Sequence, residues 1–168
     1  MASNLTVDTI RNSSGNTVLM QDGARQYISG EQIQMKYFQY TDTTTQAISA
    51  DTSTVIGHME VKITPKFANS QILLQHFAAG WHYNAGSPQS RGIRIKRNGT
   101  VIMTNDGQGY TDNGNWTTMS WVTAFFDTTH NSTSGLEYRI EINGNRARYN
   151  DHAGILNTAT FIAMEIAQ

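Results

Sequence analysis

A chain of 168 residues with 15% charged side chains and a formal net charge of −1 lacks the basic footprint that nucleic-acid binding requires. It is long enough to bury roughly 70% of its unfolded surface in one domain plus an appendage. Without cysteine there is no disulfide framework and no thiolate zinc site, and no apolar run approaches the roughly 20 residues of a membrane-spanning helix. The segment Met1–Asp8 has neither the basic nor the apolar region of a secretory signal. Asn-x-Ser/Thr tripeptides at Asn98, Asn115 and Asn131 then read as part of an Asn/Thr-rich sequence rather than as glycosylation sites.

Residues 1–32 read as an arm. Leu5, Val7 and Ile10 make one short alternating strand, the cluster from Asn12 to Asn16 is a turn, and Val18, Leu19 and Met20 make a second strand closed by Asp22-Gly23. Two strands of this length are not stable alone in water, so the arm must dock on something. Residues 33–168 read as the head. Ile33, Met35 and Tyr37 alternate, then Val55 to Thr64 alternates until Pro65 stops it. The segment Gly30–Lys36 comes nearest to a helical start, but it is short and uncapped.

Further along, Ile72 to Ala79 is apolar on both faces. Ile93 and Ile95 run into Arg97-Asn98-Gly99-Thr100, and Asn-Gly between apolar strands is the strongest short-range hairpin signal. Trp121–Phe126 follows, and Leu136–Ile142 alternates apolar with charged residues. The last strand, Ala159–Ala167, again has two apolar faces: Phe161, Ala163 and Ala167 on one, Ile162, Met164 and Ile166 on the other. About eight to ten short strands separated by turns predict an all-β fold, an antiparallel jelly-roll sandwich with a short N-terminal β arm. A single sandwich has only one core, so the second apolar face needs another cover, and a copy of the same chain is the simplest.

Candidate ligand positions are few. His76 and His82 share a strand parity that could present two imidazoles to a metal, but no carboxylate lies at a useful spacing and local hydrogen bonding explains them as well. Asp106 and Asp112, with Asn105, Asn113 and Asn115, lie in a Gly-rich segment whose oxygens suit calcium, although the spacing fails the EF-hand pattern and turn chemistry accounts for the same residues. Tyr110 and Trp116 in that segment could offer aromatic faces to a sugar, or pack back on the loop base. Trp81-His82-Tyr83 and Trp121 read as core or interface anchors. No nucleophile elbow, zincin, phosphate-loop or dinucleotide pattern occurs, and no carboxylate pair stands out as acid and base. The expectation is therefore a protein that is not an enzyme, with no cofactor and no resident metal.

Four stretches taken together, Val61–Lys66 with Ser70–Leu74, Arg97–Thr100, Phe126–Thr129 leading to Tyr138–Ile140, and Thr160–Ile166, resemble the jelly-roll domains of bacteriophage virion proteins. The similarity is greatest to fibres and decoration proteins of cyanophage and marine-phage type, whose fold is akin to the complement globular head and to tumour-necrosis-factor trimers. The opening Leu5–Ile10 with Asn12–Gly15 is similar to the start of many such chains. The resemblance implies a homotrimer on the exterior surface of a virion, made in the host cytoplasm. A short arm in place of a long shaft favours a capsid decoration (cement) protein over the alternative, a short tail fibre or receptor-binding protein. On this reading Ile72, Leu74, Phe161, Ile162, Met164 and Ile166 form the trimer interface or the core, and Leu5, Val7, Ile10, Val18 and Leu19 attach the arm to the particle. The partners are then other copies of the chain and the major capsid or tail proteins, with neither nucleic acid nor membrane. Host glycan enters only in the fibre reading, at residues 84–91 and 105–117.

Overall fold

In a computed structural model of the chain, thirteen β-strands and no helix are present among the described residues. The structure describes residues 9–11, 17–22, 25–40, 46–48, 54–83, 89–111, 116–143, 147–149 and 158–168, with side chains over 27–40, 54–78, 92–105, 120–142 and 158–168.

The strands are β1 (Thr9–Arg11), β2 (Thr17–Asp22), β3 (Arg25–Ile28), β4 (Gln32–Tyr40), β5 (Gln46–Ile48), β6 (Thr54–Ile63), β7 (Gln71–Tyr83), β8 (Gln89–Arg97), β9 (Thr100–Thr111), β10 (Trp116–Asp127), β11 (Leu136–Asn143), β12 (Ala147–Tyr149) and β13 (Ala159–Ile166). They form three antiparallel sheets. The first is β1-β2-β3, which includes a strand after Asp22-Gly23 that the sequence reading does not anticipate. The second runs β4-β13-β7-β12-β5, with β10 on the other side of β7. The third runs β6-β11-β8-β9. The second and third pack face to face as a jelly-roll-like β sandwich. The segment nearest to a helical start, Gly30–Lys36, opens β4 instead, because its partner β13 satisfies its main chain.

Alternation decides the core. Ile56, Met59, Val61 and Ile63 of β6, Ile93 and Ile95 of β8, and Leu136, Tyr138, Ile140 and Ile142 of β11 face Ile72, Leu74 and Ala78 of β7, Trp121 of β10, and Ala159, Phe161 and Ala163 of β13. Every one of them is buried. The Asn-Gly hairpin forms as the sequence predicts. Asn98 (φ 48°) and Gly99 (φ 84°) both take the left-handed conformation that a tight two-residue turn demands. Asn98 Oδ1 then accepts the Glu137 amide at 2.8 Å, tying the turn to the start of β11.

A buried carboxylate ties the two layers together where β10 ends. Asp127 accepts from Arg97 Nη1 at 2.7 and 2.8 Å, from Tyr138 OH at 2.8 Å and from the Thr129 amide at 3.0 Å. Burial alone would raise its pKa, but the donors from Thr129, Tyr138 and Arg97 hold it below the usual carboxylate value. Burial and the adjoining carboxylate together push the Tyr138 phenol up.

A second carboxylate organises the end of the sandwich beside residues 27–31. Glu165 is fully buried. It accepts from the Lys66 amide at 2.9 Å, the Phe67 amide at 3.1 Å, Ser70 Oγ at 2.7 Å and Gln34 Nε2 at 2.6 Å. That cradle presents Phe67 edge-on to Tyr27, with ring centroids 6.1 Å apart, and Tyr27, Ile33 and Ala167 make a small second core. Gly30 N donates to Ala167 O at 2.8 Å and Ala167 N to Glu31 O at 2.9 Å, so residues 30 and 31 are held beside the end of the last strand.

Candidate functional site

The outer faces of the two packed sheets differ sharply. On the third sheet the outward residues of β6, β11 and β8 are charged and paired. Lys62 reaches Glu60 at 2.7 Å and Glu137 at 3.2 Å, and Arg139 pairs with Glu137 and Glu60. Glu141 lies between Lys96 at 2.5 Å and Arg94 at 3.4 Å. The exposed pairs of Lys62 and Arg139 add little stability but keep the face wet, whereas Glu141 is itself buried between its two cations.

Apolar residues cover the corresponding face of the second sheet. The register sets Met164 of β13 opposite Met35 of β4 on one side and Leu73 of β7 on the other, with Phe126 of β10 beyond. In the next row Ile162 lies between Tyr37 and Gln75, with Ala124 beyond, and in the third Thr160 lies between Gln39 and Phe77, with Val122 beyond. None of these twelve positions carries an ammonium, guanidinium or carboxylate group. Met35 is 45% exposed, Tyr37 66%, Phe77 43%, Val122 45% and Phe126 48%. Single exposed apolar side chains are ordinary, whereas a contiguous face of them marks a contact surface.

The interface residues expected from sequence divide between two surfaces. Ile72, Leu74 and Phe161 are fully buried within the sandwich, and Ile162, Met164 and Ile166 are half-buried on the outer face. Alternation along β13 reveals both faces, but only the register shows what stands beside them. Met35, Tyr37, Phe77, Val122 and Phe126 are absent from the sequence-derived set because they belong to three other segments, β4, β7 and β10, distant in sequence from β13. Ile33 needs a correction: it shares strand parity with Met35 and Tyr37, yet it is buried while they are exposed. A register shift at Glu165/Ile166 against Gln34/Gln32 lets β4 change face there.

The candidate ligand segment is not one loop. Asp106 and Tyr110 lie within β9, Trp116 opens β10, and Asp112 lies outside the described residues. Pairing with β8 carries the chain through this Gly-rich stretch. The register moves from Ile93↔Asn105 to Arg91↔Gly109, so the surplus residues are absorbed as an irregularity in the strand. Of the arm residues, Leu5 and Val7 lie outside the described residues, while Ile10 pairs with Leu19 across β1 and β2, and Val18 lies in β2. His76 is buried edge-on to Phe161, its ring centroid 6.1 Å away, and burial pushes its pKa down to about 3. His82 belongs to β7, in register with Thr117, and its side chain is outside the described set. Among the described residues no group of three His, Asp or Glu side chains could hold a metal ion.

No protein-family model matches the chain, and no curated protein matches it. Among solved structures it is similar to dimeric latent PorU from Porphyromonas gingivalis, with a TM-score of 0.44 at 11% identity over 84% of this chain and 13% of that one. The T=1 particle structure of infectious bursal virus gives a TM-score of 0.44 at 10% identity over 88% of this chain and 40% of that one. Eiger TNF from S. frugiperda gives a TM-score of 0.41 at 9% identity over 80% of this chain and 92% of that one. The chain thus spans less than half of the first two proteins. At these scores the fold assignment rests on strand order and register.

Proposed function

We propose that this chain is a structural virion protein, a homotrimer that binds the outside of a phage capsid through its N-terminal arm and stabilises it as a decoration (cement) protein. It acts through contact area and valence and catalyses nothing. The observation that carries the reading is the uncharged outer face of the second sheet, set against the ion-paired face of the third. Five large side chains there, each about half exposed, present roughly 400–500 Å² of apolar surface, near the upper end for a monomer's largest patch. A stable interface covers about 800 Å² per partner, and Ile162, Met164, Ile166 and Leu73 lie in or beside the same surface. With no charge on it, the face suits another copy of itself better than an acidic or basic partner. Three arms on one trimer then bind a particle far more tightly than one, through effective concentration.

Two measurements test this. Light scattering of the purified protein should give about three times the chain mass, and a stable monomer at micromolar concentration would overturn the assembly. Copies per particle should be numerous and spread over the capsid. A few copies confined to the tail, with host-cell binding by the isolated head, would replace decoration by a short tail fibre that contacts host glycan.

A further inference from the structure

β4 and β6 are end strands of their sheets, and a cleft of about 600 Å³ opens beside them. That volume lies within the range of ligand sites. The buried Ile63 and Leu136 supply apolar lining, Lys36, Lys62, Glu137 and Asn98 supply polar groups, and Gln34 already donates to Thr64 O at 2.7 Å and to Glu165 at 2.6 Å. The two ammonium groups are not equivalent. Lys62 is already paired with Glu60 and Glu137, whereas Lys36 has no carboxylate partner among the described residues. Lys36 alternates with Met35 and Tyr37 along β4, so this cleft is a different surface from the apolar face.

We propose that the cleft between β4 and β6 binds an extended acidic peptide segment, with a carboxylate at Lys36 and the peptide backbone alongside an open sheet edge. An end strand is a ready template for main-chain pairing, and pockets beside it read alternate side chains of the added strand. The ammonium of Lys36 fits the acidic residues of such a segment, whereas Ile63 and Leu136, 2% and 4% exposed, offer it little surface. This proposal uses neither the apolar face nor the arm, so it stands or falls independently of the trimer.

The probe is a fluorescent peptide of about six alternating valine and glutamate residues, compared with its glutamine counterpart by anisotropy on the full chain. Carbodiimide coupling then maps which lysine meets the carboxylate. The glutamate peptide should bind at least about threefold more tightly, lose that advantage in high salt, and couple to Lys36. Lys36→Glu should remove the preference without unfolding an exposed position. Gly135→Leu should weaken both peptides, because a side chain at Gly135 projects past Thr64 Oγ1, which a Cβ would meet at 3.7 Å. Equal binding of the two peptides, coupling at other lysines only, or full competition by glucuronic acid at equal concentration would overturn the proposal.

Discussion

Tyr37 and Ile162 stand directly opposite one another across β4 and β13, on the side of the sheet that faces away from the core. The neighbour of Ile162 in sequence, Phe161, is buried against His76 on the other side of the same strand. One residue of displacement along β13 therefore separates a packing role from a surface role, and substitutions should separate them. Tyr37→Asp or Ile162→Asp should reduce the mass in light scattering to that of a single chain while preserving the β-rich far-UV spectrum. Phe161→Ala should instead destabilise the fold itself by about 3–5 kcal/mol in denaturant unfolding. An Ile162→Asp protein that keeps its assembly would remove this face from the interface.

Glu165 offers two oxygens to two amides, a hydroxyl and a carboxamide. Glu165→Gln places an NH₂ group where one of those donors already points. We expect a loss of about 1–3 kcal/mol, with faster hydrogen exchange at the Lys66 and Phe67 amides. Unchanged exchange there would mean the cradle contributes nothing to ordering the turn.

The buried His76 imposes an acid limit. Its folded pKa of about 3 lies below the ordinary 6.5, so between those values the unfolded chain binds the proton that the folded one refuses. Its neutral form is compatible with full stability above about pH 6.5, and stability should fall progressively as pH drops towards 3. The total is on the order of a few kcal/mol. Asp127, held below its usual pKa, adds a further loss below the ordinary carboxylate range. Denaturant midpoints measured from pH 7 to pH 4 should decline, and the decline should shrink in His76→Phe. An equal slope in that variant would assign the effect elsewhere.

Where the arm is cut should matter. Tyr27 packs on Phe67, and Gly30 and Glu31 bond to Ala167. Deleting residues 2–24 spares these contacts and should leave the head's melting temperature nearly unchanged. Deleting residues 2–30 removes the Tyr27 ring and should lower stability by about 1.5–3 kcal/mol. If attachment to particles resides in the arm, both deletions abolish it. Binding retained by the shorter deletion would move attachment to the head.

Much of the fold is legible in the sequence because period-2 alternation and turn chemistry are local. Ile93 and Ile95 before Asn98-Gly99, the stop at Pro65 and the two-faced run Ala159–Ala167 each specify their strand without reference to the rest of the chain. Tertiary structure alone decided which of the two faces at 159–167 is covered, since that depends on neighbours about 38 to 129 positions away: Met35, Tyr37, Leu73, Phe77, Val122 and Phe126. It also decided that Ile33 turns inward while Met35 does not, because a register shift at 165–166 resets the alternation. In the sequence Glu165 is one polar residue in an apolar strand, and its role follows only from the Lys66 and Phe67 amides that converge on it. Local pattern determines that a strand forms; pairing over long sequence distances determines what each of its faces meets.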